Sequence, residues 1–477
     1  MKSLTTFIYD DVFHYAILII ATIYILAHYL MCLDSVVINA DASYYVGVAR
    51  LLMEGNTPFV DFALSYTPLS FYLMCIPFSI WGSSFNCAII VLYFVHVVNA
   101  IVIYLILQKT NHSKKIAWLG ALLFLLYAFL FEGCMYVLEP FVVFWGLISL
   151  WLLQNKSTIS IFFAGVCCSC SFFCKQYGLG FVIIAIIYII LKKEHSKSSI
   201  IAIVLLLFGF LSFSIAFVIC MAIQGVEPLQ MLSLSGSDYE RNGLRGLLAA
   251  FYYLIRKLSP LFVALAVSLF YHKRLVKDNF WIISILGIAS FMLPCYVRFY
   301  KHYLLLVLPF IIFLIVHSFH SIEKDVYKKL FVSWVILTSL IPLYSMHTVY
   351  QGLSSLRYNQ ELVSKEIANY IPQGERNVFL SFNALYLSLT NSYAPPLLHK
   401  YGMSNGFVTK QNEVMDMLKT AKYLVISEDD YNNRPSINNS TVKEYIKQSF
   451  DLKMIESNNS IFMLYTKKND YYNPLCN

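Results

Sequence analysis

Residues 34–82 read DSVVINADASYYVGVARLLMEGNTPFVDFALSYTPLSFYLMCIPFSIWG. The stretch follows the first long apolar run, Phe13–Leu33, and carries four acids, Asp34, Asp41, Glu54 and Asp61. Over Ala42–Met53 apolar residues recur at helical spacing, and Gly55 is placed to end that helix. Pro58 and Pro68 punctuate the rest of the stretch. Leu69–Trp81 is apolar but short, whereas a helix needs about 20 residues to cross the hydrocarbon core of a bilayer. It therefore reads as an interfacial or re-entrant helix. Whether it crosses decides the sidedness of every later loop.

The rest of the chain has the composition of a polytopic membrane protein. Of 477 residues, 58% are hydrophobic and only 13% charged. Phe13–Leu33 is too long for the core of a cleavable signal and lacks a small-residue cleavage site, so it reads as a first span and anchor. Further spans are expected at Phe85–Leu107, Ile116–Phe131, Phe141–Leu153, Ile159–Cys174, Gly178–Leu191, Ile200–Ala222, Leu247–Tyr271, Phe280–Tyr296, His302–Phe319 and Leu330–Tyr350, about eleven in all. The predicted class is an all-α membrane domain over residues 1–350, with residues 34–82 as its first external loop.

The positive-inside rule orients it. The loops holding Lys109, Lys114 and Lys115, then Lys156, then Lys192, Lys193 and Lys197, then Lys273, Arg274 and Lys277, then Lys324, Lys328 and Lys329, all fall on one side by strict alternation. That side, with the N-terminus, is expected to be cytoplasmic. The alternation holds only if Leu69–Trp81 does not cross. The excess of Lys and Arg, giving a formal net charge of +8, is thus a membrane signature and does not indicate nucleic acid. Residues 351–477 are polar, with strand-like runs at Val378–Ser381, Tyr423–Ile426 and Ile461–Tyr465 and helix-like stretches at Glu361–Tyr370 and Asn412–Thr420. They read as a small extracytoplasmic α/β domain. Most of the 11 cysteines lie within apolar runs. Cys167, Cys168 and Cys170 have no His nearby and read as core packing rather than a metal tract. His28 and His96 read as packing residues.

Polar groups from four loops open on the same, external side: Asp41, Arg50, Asp61, Tyr66, Glu139, Lys175, Gln176, Arg298, Lys301, His302 and Tyr303. Carboxylates mixed with Lys and Arg suit a site that binds a phosphate and moves protons. Asp41 fits a proton acceptor and equally a helix N-cap. Asp61, after Pro58, has the position of a turn residue. Glu139 precedes Pro140 at the head of a span, where a carboxylate also complements the helix dipole. Lys175 fits a phosphate clamp or a snorkelling anchor. Arg298, Lys301 and His302 fit an anion site or an interfacial belt. No Walker loop, Rossmann glycine pattern or paired Cys/His metal motif is present, which speaks against an ATP-driven pump and against a cytoplasmic nucleotide-sugar enzyme.

Several motifs occur together and in order: Asp41-Ala-Ser-Tyr-Tyr, Ala49-Arg50-Leu-Leu-Met-Glu-Gly55, Pro58-Phe-Val-Asp61-Phe, Pro68 before Leu69-Ser-Phe-Tyr72, Phe78-Ser-Ile-Trp-Gly82, Leu138-Glu139-Pro140, Cys174-Lys175-Gln176, and His302-Tyr303 with Pro309. From the N-terminus to about Tyr350 this arrangement resembles the C-type (GT-C) membrane glycosyltransferases, in particular the bacterial protein mannosyltransferase/lipid A aminoarabinose transferase-like branch. The resemblance implies a polyprenyl-phosphate-sugar donor, membrane lipid around it, and a lipid, glycan or protein acceptor. It implies Asp41 as base and Lys175, Arg298 and Lys301 as binders of the donor phosphate. It implies that Glu139, Asp61, Tyr66, Gln176, His302 and Tyr303 shape the pocket or meet the acceptor. It implies no required cofactor, although some relatives bind a divalent cation near the site. Two positions depart from the pattern: the second loop acid is Ala42, and the basic residue before Pro68 is Thr67. A flippase or exporter of lipid-linked glycans, or a polysaccharide polymerase or ligase, is the alternative for such a chain.

Overall fold

The computed structural model describes residues 19–33, 40–62, 64, 66–110, 113–155, 157–192, 196–232, 242–270, 279–320, 369–371, 378–380, 418–433, 438–457 and 460–468, with isolated positions between them. Thirteen helices precede the C-terminal part among these residues. They are α1 (Ile19–Met31), α2 (Ala40–Met53), α3 (Leu69–Trp81), α4 (Phe85–Lys109), α5 (Lys114–Ala128), α6 (Glu139–Leu153), α7 (Thr158–Cys174), α8 (Leu179–Leu191), α9 (Ser196–Ile223), α10 (Pro228–Leu232), α11 (Gly243–Phe270), α12 (Asn279–Val297) and α13 (Leu304–His320). The expected spans from Phe85 to Phe319 each coincide with one of them. Six helices among the described residues have the length and apolarity to cross a membrane, and α1, α3, α6, α7 and α8 are apolar but shorter. The expected span at Leu330–Tyr350 and the helices at Glu361–Tyr370 and Asn412–Thr420 lie largely or wholly outside the described residues.

The chain divides into two compact units, one of Met1–Leu33, Ile90–Cys220 and Arg241–Gln351, the other of Asp34–Ile89, Met221–Glu240 and Gly352–Asn477. In the first unit α13 is the central element. The span Lys301–Ser318 is 94% buried, against 11% for Ser198–Ile223 of α9, whose Ile200, Val204, Phe208, Leu211, Ile215 and Ile219 face outward. Helices α5, α6, α11 and α12 pack on α13, and α7 packs on α6.

Lipid is as apolar as leucine, so helices in it associate through close packing rather than by escaping water. The contact of α7 with α9 shows this. A Cβ on Gly165 would collide with the Leu206 carbonyl oxygen, and one on Gly209 would collide with that of Phe162. The two backbones thus touch through reciprocal glycines, and Ser169 Oγ and Ser214 Oγ hydrogen-bond at 2.8 Å further along.

In the second unit α2 packs on α3. Arg50, buried near the C-terminus of α2, donates through Nε and Nη2 to the Ser83 carbonyl at 2.9 and 2.5 Å, which ties α2 to the connection after α3. Helix α3 has the predicted limits. It buries Phe71, Met74 and Phe78 and exposes Ile76, Ile80 and Trp81, the one-sided pattern of an interfacial helix. The C-terminal part forms a sheet of β1 (Val378–Leu380), β2 (Tyr423–Ser427), β3 (Phe450–Ser457) and β4 (Ser460–Lys467) in the order β1-β2-β4-β3. The β1–β2 pair is parallel and the others antiparallel, with Leu424 opposite Tyr465 and Leu452 opposite Tyr465 on its other side. Among the described residues it is accompanied by α14 (Glu428–Asn433) and α15 (Ser440–Ser449), the latter capped by the Asn439 side chain, which accepts from the Thr441 N–H.

Replacing Gly209 by Val puts side-chain atoms into the α7 backbone. Overpacking of this kind costs about 1–3 kcal/mol. Thermal unfolding of the purified chain should shift down by several degrees, and an unchanged Tm would contradict the direct backbone contact.

Candidate active site

Three connections of the first unit bring charged side chains together. The first runs from α5 to α6. After α5 a 3-10 turn, Phe129–Phe131, ends on Glu132, whose φ of 62° is left-handed. A non-glycine residue there is uncommon and must be held by its surroundings. Helix α4 supplies the hold. Tyr93 Oη donates to the Cys134 carbonyl (3.4 Å), His96 Nε2 to that of Gly133 (3.0 Å) and Asn99 Nδ2 to that of Pro140 (3.0 Å). These donors sit three residues apart on one helical face. Glu139 then opens α6, with Pro140 in its first turn.

The second connection follows α7. Lys175 leaves the helix in an extended conformation, and a 3-10 turn, Gln176–Gly178, leads into α8. The turn folds onto the end of α7 so closely that a Cβ on Gly178 would collide with the Ser171 carbonyl. This points Lys175 inward. Its Nζ donates to Glu139 Oε1 at 2.5 Å, and the two side chains are 1% and 0% exposed. A buried pair of this kind survives only because each charge answers the other. The faces of Tyr303 and Tyr177 lie 5.0 and 5.6 Å from the same ammonium, within cation–π range. Tyr177 Oη donates to Tyr303 Oη at 3.2 Å.

The third connection, between α12 and α13, carries Arg298, Lys301, His302 and Tyr303. His302 sits in the 3-10 turn Lys301–Tyr303. Its Nδ1 donates to Glu132 Oε2 at 2.9 Å, and its Nε2 lies 3.9 Å from Glu139 Oε1. Lys301 Nζ, half exposed, lies 3.8 Å from Glu132 Oε1. Tyr300 stacks flat on the His302 ring at 5.3 Å, and the Arg298 guanidinium lies 4.8 Å from the Tyr300 ring. Lys175, Glu139, His302, Glu132 and Lys301 therefore form a chain of basic and acidic groups leading from a buried end to an exposed one. Burial pushes the Glu132 carboxyl up, but the hydrogen bond from His302 and the charges of His302 and Lys301 bring it below the ordinary carboxylate value.

Of the sequence-predicted residues, Glu139, Lys175, His302 and Tyr303 are thus in mutual contact, with Lys301 and Arg298 beside them and Gln176 in the turn after Lys175. Asp41, Asp61 and Tyr66 belong to the second unit. Asp41 lies half-buried in the first turn of α2. Asp61 closes its own turn, accepting from the Thr57 N–H at 2.6 Å. The Tyr66 ring lies 5.7 Å from that of Tyr45. Glu132 reads from the sequence as an external-side acid beside Glu139, but it is not among the candidate site residues. Its signal is a lone acid inside the apolar run Phe131-Glu132-Gly133, where a charge needs a partner. Cys167, Cys168, Cys170 and Cys174 are buried free thiols on α7. Among the described residues no three His, Cys, Asp or Glu side chains are arranged to hold a metal ion.

No protein-family model matches the chain, and no curated protein matches it. Solved structures do. The crystal structure of ArnT from Cupriavidus metallidurans in the apo state aligns with a TM-score of 0.63 over 94% of this chain and 98% of that one, at 9% identity. The same protein bound to undecaprenyl phosphate aligns at 0.63 over 97% and 98%, at 10% identity. The archaeal oligosaccharyltransferase AglB from Archaeoglobus fulgidus, in complex with an inhibitory peptide and a dolichol-phosphate, aligns at 0.53 over 98% of this chain and 75% of that one, at 11% identity. Both proteins are members of the GT-C superfamily. At such identity the likeness defines the fold: the chain is a multi-pass membrane protein with the GT-C fold.

Because Glu132 has a lowered pKa in the folded chain, the stability it contributes is complete above the ordinary carboxylate value near 4.5 and is lost as pH falls through its folded value. The Tm difference between wild type and Glu132→Gln should be present at about pH 5 and shrink as pH falls below that. A difference independent of pH into the acid range would contradict the ion pairs drawn to Glu132.

Proposed function

We propose that the chain is a membrane glycosyltransferase that moves a sugar from a polyprenyl-phosphate-sugar donor to a lipid, glycan or protein acceptor on the extracytoplasmic face. The observation that carries the reading is the chain of charged groups from buried Lys175 to exposed Lys301, set in a GT-C fold. The bound undecaprenyl phosphate of the ArnT structure and the bound dolichol-phosphate of the AglB structure support a lipid phosphate as the ligand of such a fold.

A glycosyl phosphate is already activated. The bond from the anomeric carbon to the phosphate oxygen breaks, the carbon passes through oxocarbenium character, and the acceptor oxygen forms the new bond. Polyprenyl phosphate leaves with the electron pair. Lys175, Arg298 and Lys301 hold that phosphate, with Lys175 fixed in place by Glu139. Cations positioned in advance in a dry pocket count most where charge develops in the transition state. Asp41 takes the acceptor proton. Single displacement inverts the anomeric centre. Glu139 Oε2, buried and without a hydrogen-bond partner among the described residues, has acceptor capacity left for a donor hydroxyl. Gln176, His302 and Tyr303 shape the phosphate pocket, and Asp61 and Tyr66 serve the acceptor. The chain resides in the inner or plasma membrane, with its N-terminus cytoplasmic and its C-terminal sheet outside.

Turnover of radiolabelled polyprenyl-phosphate sugars by the purified chain in lipid, with lipid and glycan acceptors, tests this. Asp41→Asn should lower transfer by about 10²–10⁴-fold, the usual worth of a general base, while leaving donor binding intact. Equal transfer by both proteins would remove Asp41 from the mechanism. Absence of transfer with every donor, alongside lipid translocation, would replace the transferase by a flippase.

A further inference from the structure

A second feature of the first unit lies apart from the charged chain. Helices α1, α4 and α5 enclose a groove of about 310 Å³, walled by Leu26, Val97, Ile101 and Leu122 with Trp118 and Tyr104 toward one end. Space of this size lies in the range of built ligand sites. Its lining is almost wholly apolar, and its rim opens outward at Ile101, which is 51% exposed. The few polar atoms of the lining are mostly engaged. Trp118 Nε1 donates to Thr22 Oγ1 at 3.1 Å, which ties α5 to α1, and Gln108 Nε2 donates to Tyr104 Oη at 2.8 Å.

Cations continue the same face. Lys114 and Lys115 stand one turn before Trp118 on α5, and Trp118, Leu122 and Leu125 follow at helical spacing. Lys114 is exposed and Lys115 half-buried. They occupy the N-terminal turn of α5, where the helix dipole adds positive potential. An apolar slot headed by an indole and two lysines has the layout of a phospholipid with an anionic headgroup: chain below, aromatic ring at the level of the glycerol, cations at the phosphate. We propose that this groove is a binding site for one acyl chain of an anionic phospholipid whose headgroup pairs with Lys114 and Lys115. The proposal is independent of the transferase reading, since none of these residues has a part in it.

Native mass spectrometry of the full chain, delipidated and then given phosphatidylglycerol or phosphatidylcholine, tests the site. Wild type should retain phosphatidylglycerol with about a tenfold preference, on the scale expected for two lysines near an anionic headgroup. Lys114→Ala with Lys115→Ala should abolish the preference. Ile101→Trp, on the half-exposed rim of the groove, should block retention of both lipids. Equal retention of the two lipids by wild type, or a preference that survives the double substitution, would overturn the proposal. Preferential retention of undecaprenyl phosphate, blocked by Ile101→Trp, would also overturn it and give the groove to an isoprenoid chain.

Discussion

The first unit depends on one interaction, the buried ion pair between Lys175 and Glu139. Taking either charge out of water alone costs several kcal/mol, so neither side chain is tenable at its depth without the other. The pair joins the heads of two connections that the sequence separates by 36 positions, and it fixes how the end of α7 meets the start of α6. Everything else in the charged chain is placed relative to it. His302 approaches the same carboxylate from the α12–α13 connection, and Glu132 approaches His302 from the other side.

Such precision needs a rigid frame, and the frame is helical. The donors of α4 pin the carbonyls around Glu132 and Glu139, and the close fold of Gly178 on Ser171 turns Lys175 inward. At the core α13 carries the His302 turn at its N-terminus and is packed on by four helices. Sites held by helix ends and tight turns are more exact than sites on long loops. Under the proposed function, the gradient from a buried cation to an exposed one would let a charged ligand meet Lys301 and Arg298 first, with the deeper groups in surroundings where electrostatic contacts are strongest.

Much of this was legible in the sequence because its signals are local. Apolar runs have a length that the bilayer sets, so the helices between Phe85 and Phe319 could be placed, and α3 could be recognised as too short to cross. Glu139, Lys175 and His302 stood out because charges among apolar residues are expensive. The pairing among them was not legible. The sequence leaves Lys175 between a phosphate clamp and an anchor, and carries no sign that Glu139 is its partner. Glu132 reads from the sequence only as an external-side acid, because its contact with His302 comes from a left-handed turn. Strand β3 was missed for a related reason: Asp451, Lys453 and Glu456 interrupt any apolar run, and its conformation comes from pairing with β4. The comparison with solved structures shows the same division, since fold is retained at about a tenth sequence identity.

The most direct test of the account is a double-mutant cycle on the central pair, reading unfolding free energy in lipid for Lys175→Met, Glu139→Leu and the two combined. Each single substitution strands a buried charge and should cost about 3–5 kcal/mol, whereas the combined variant, with no charge left to strand, should cost less than either. Additive losses would contradict the account, because they would mean that Lys175 and Glu139 do not hold each other in the folded protein.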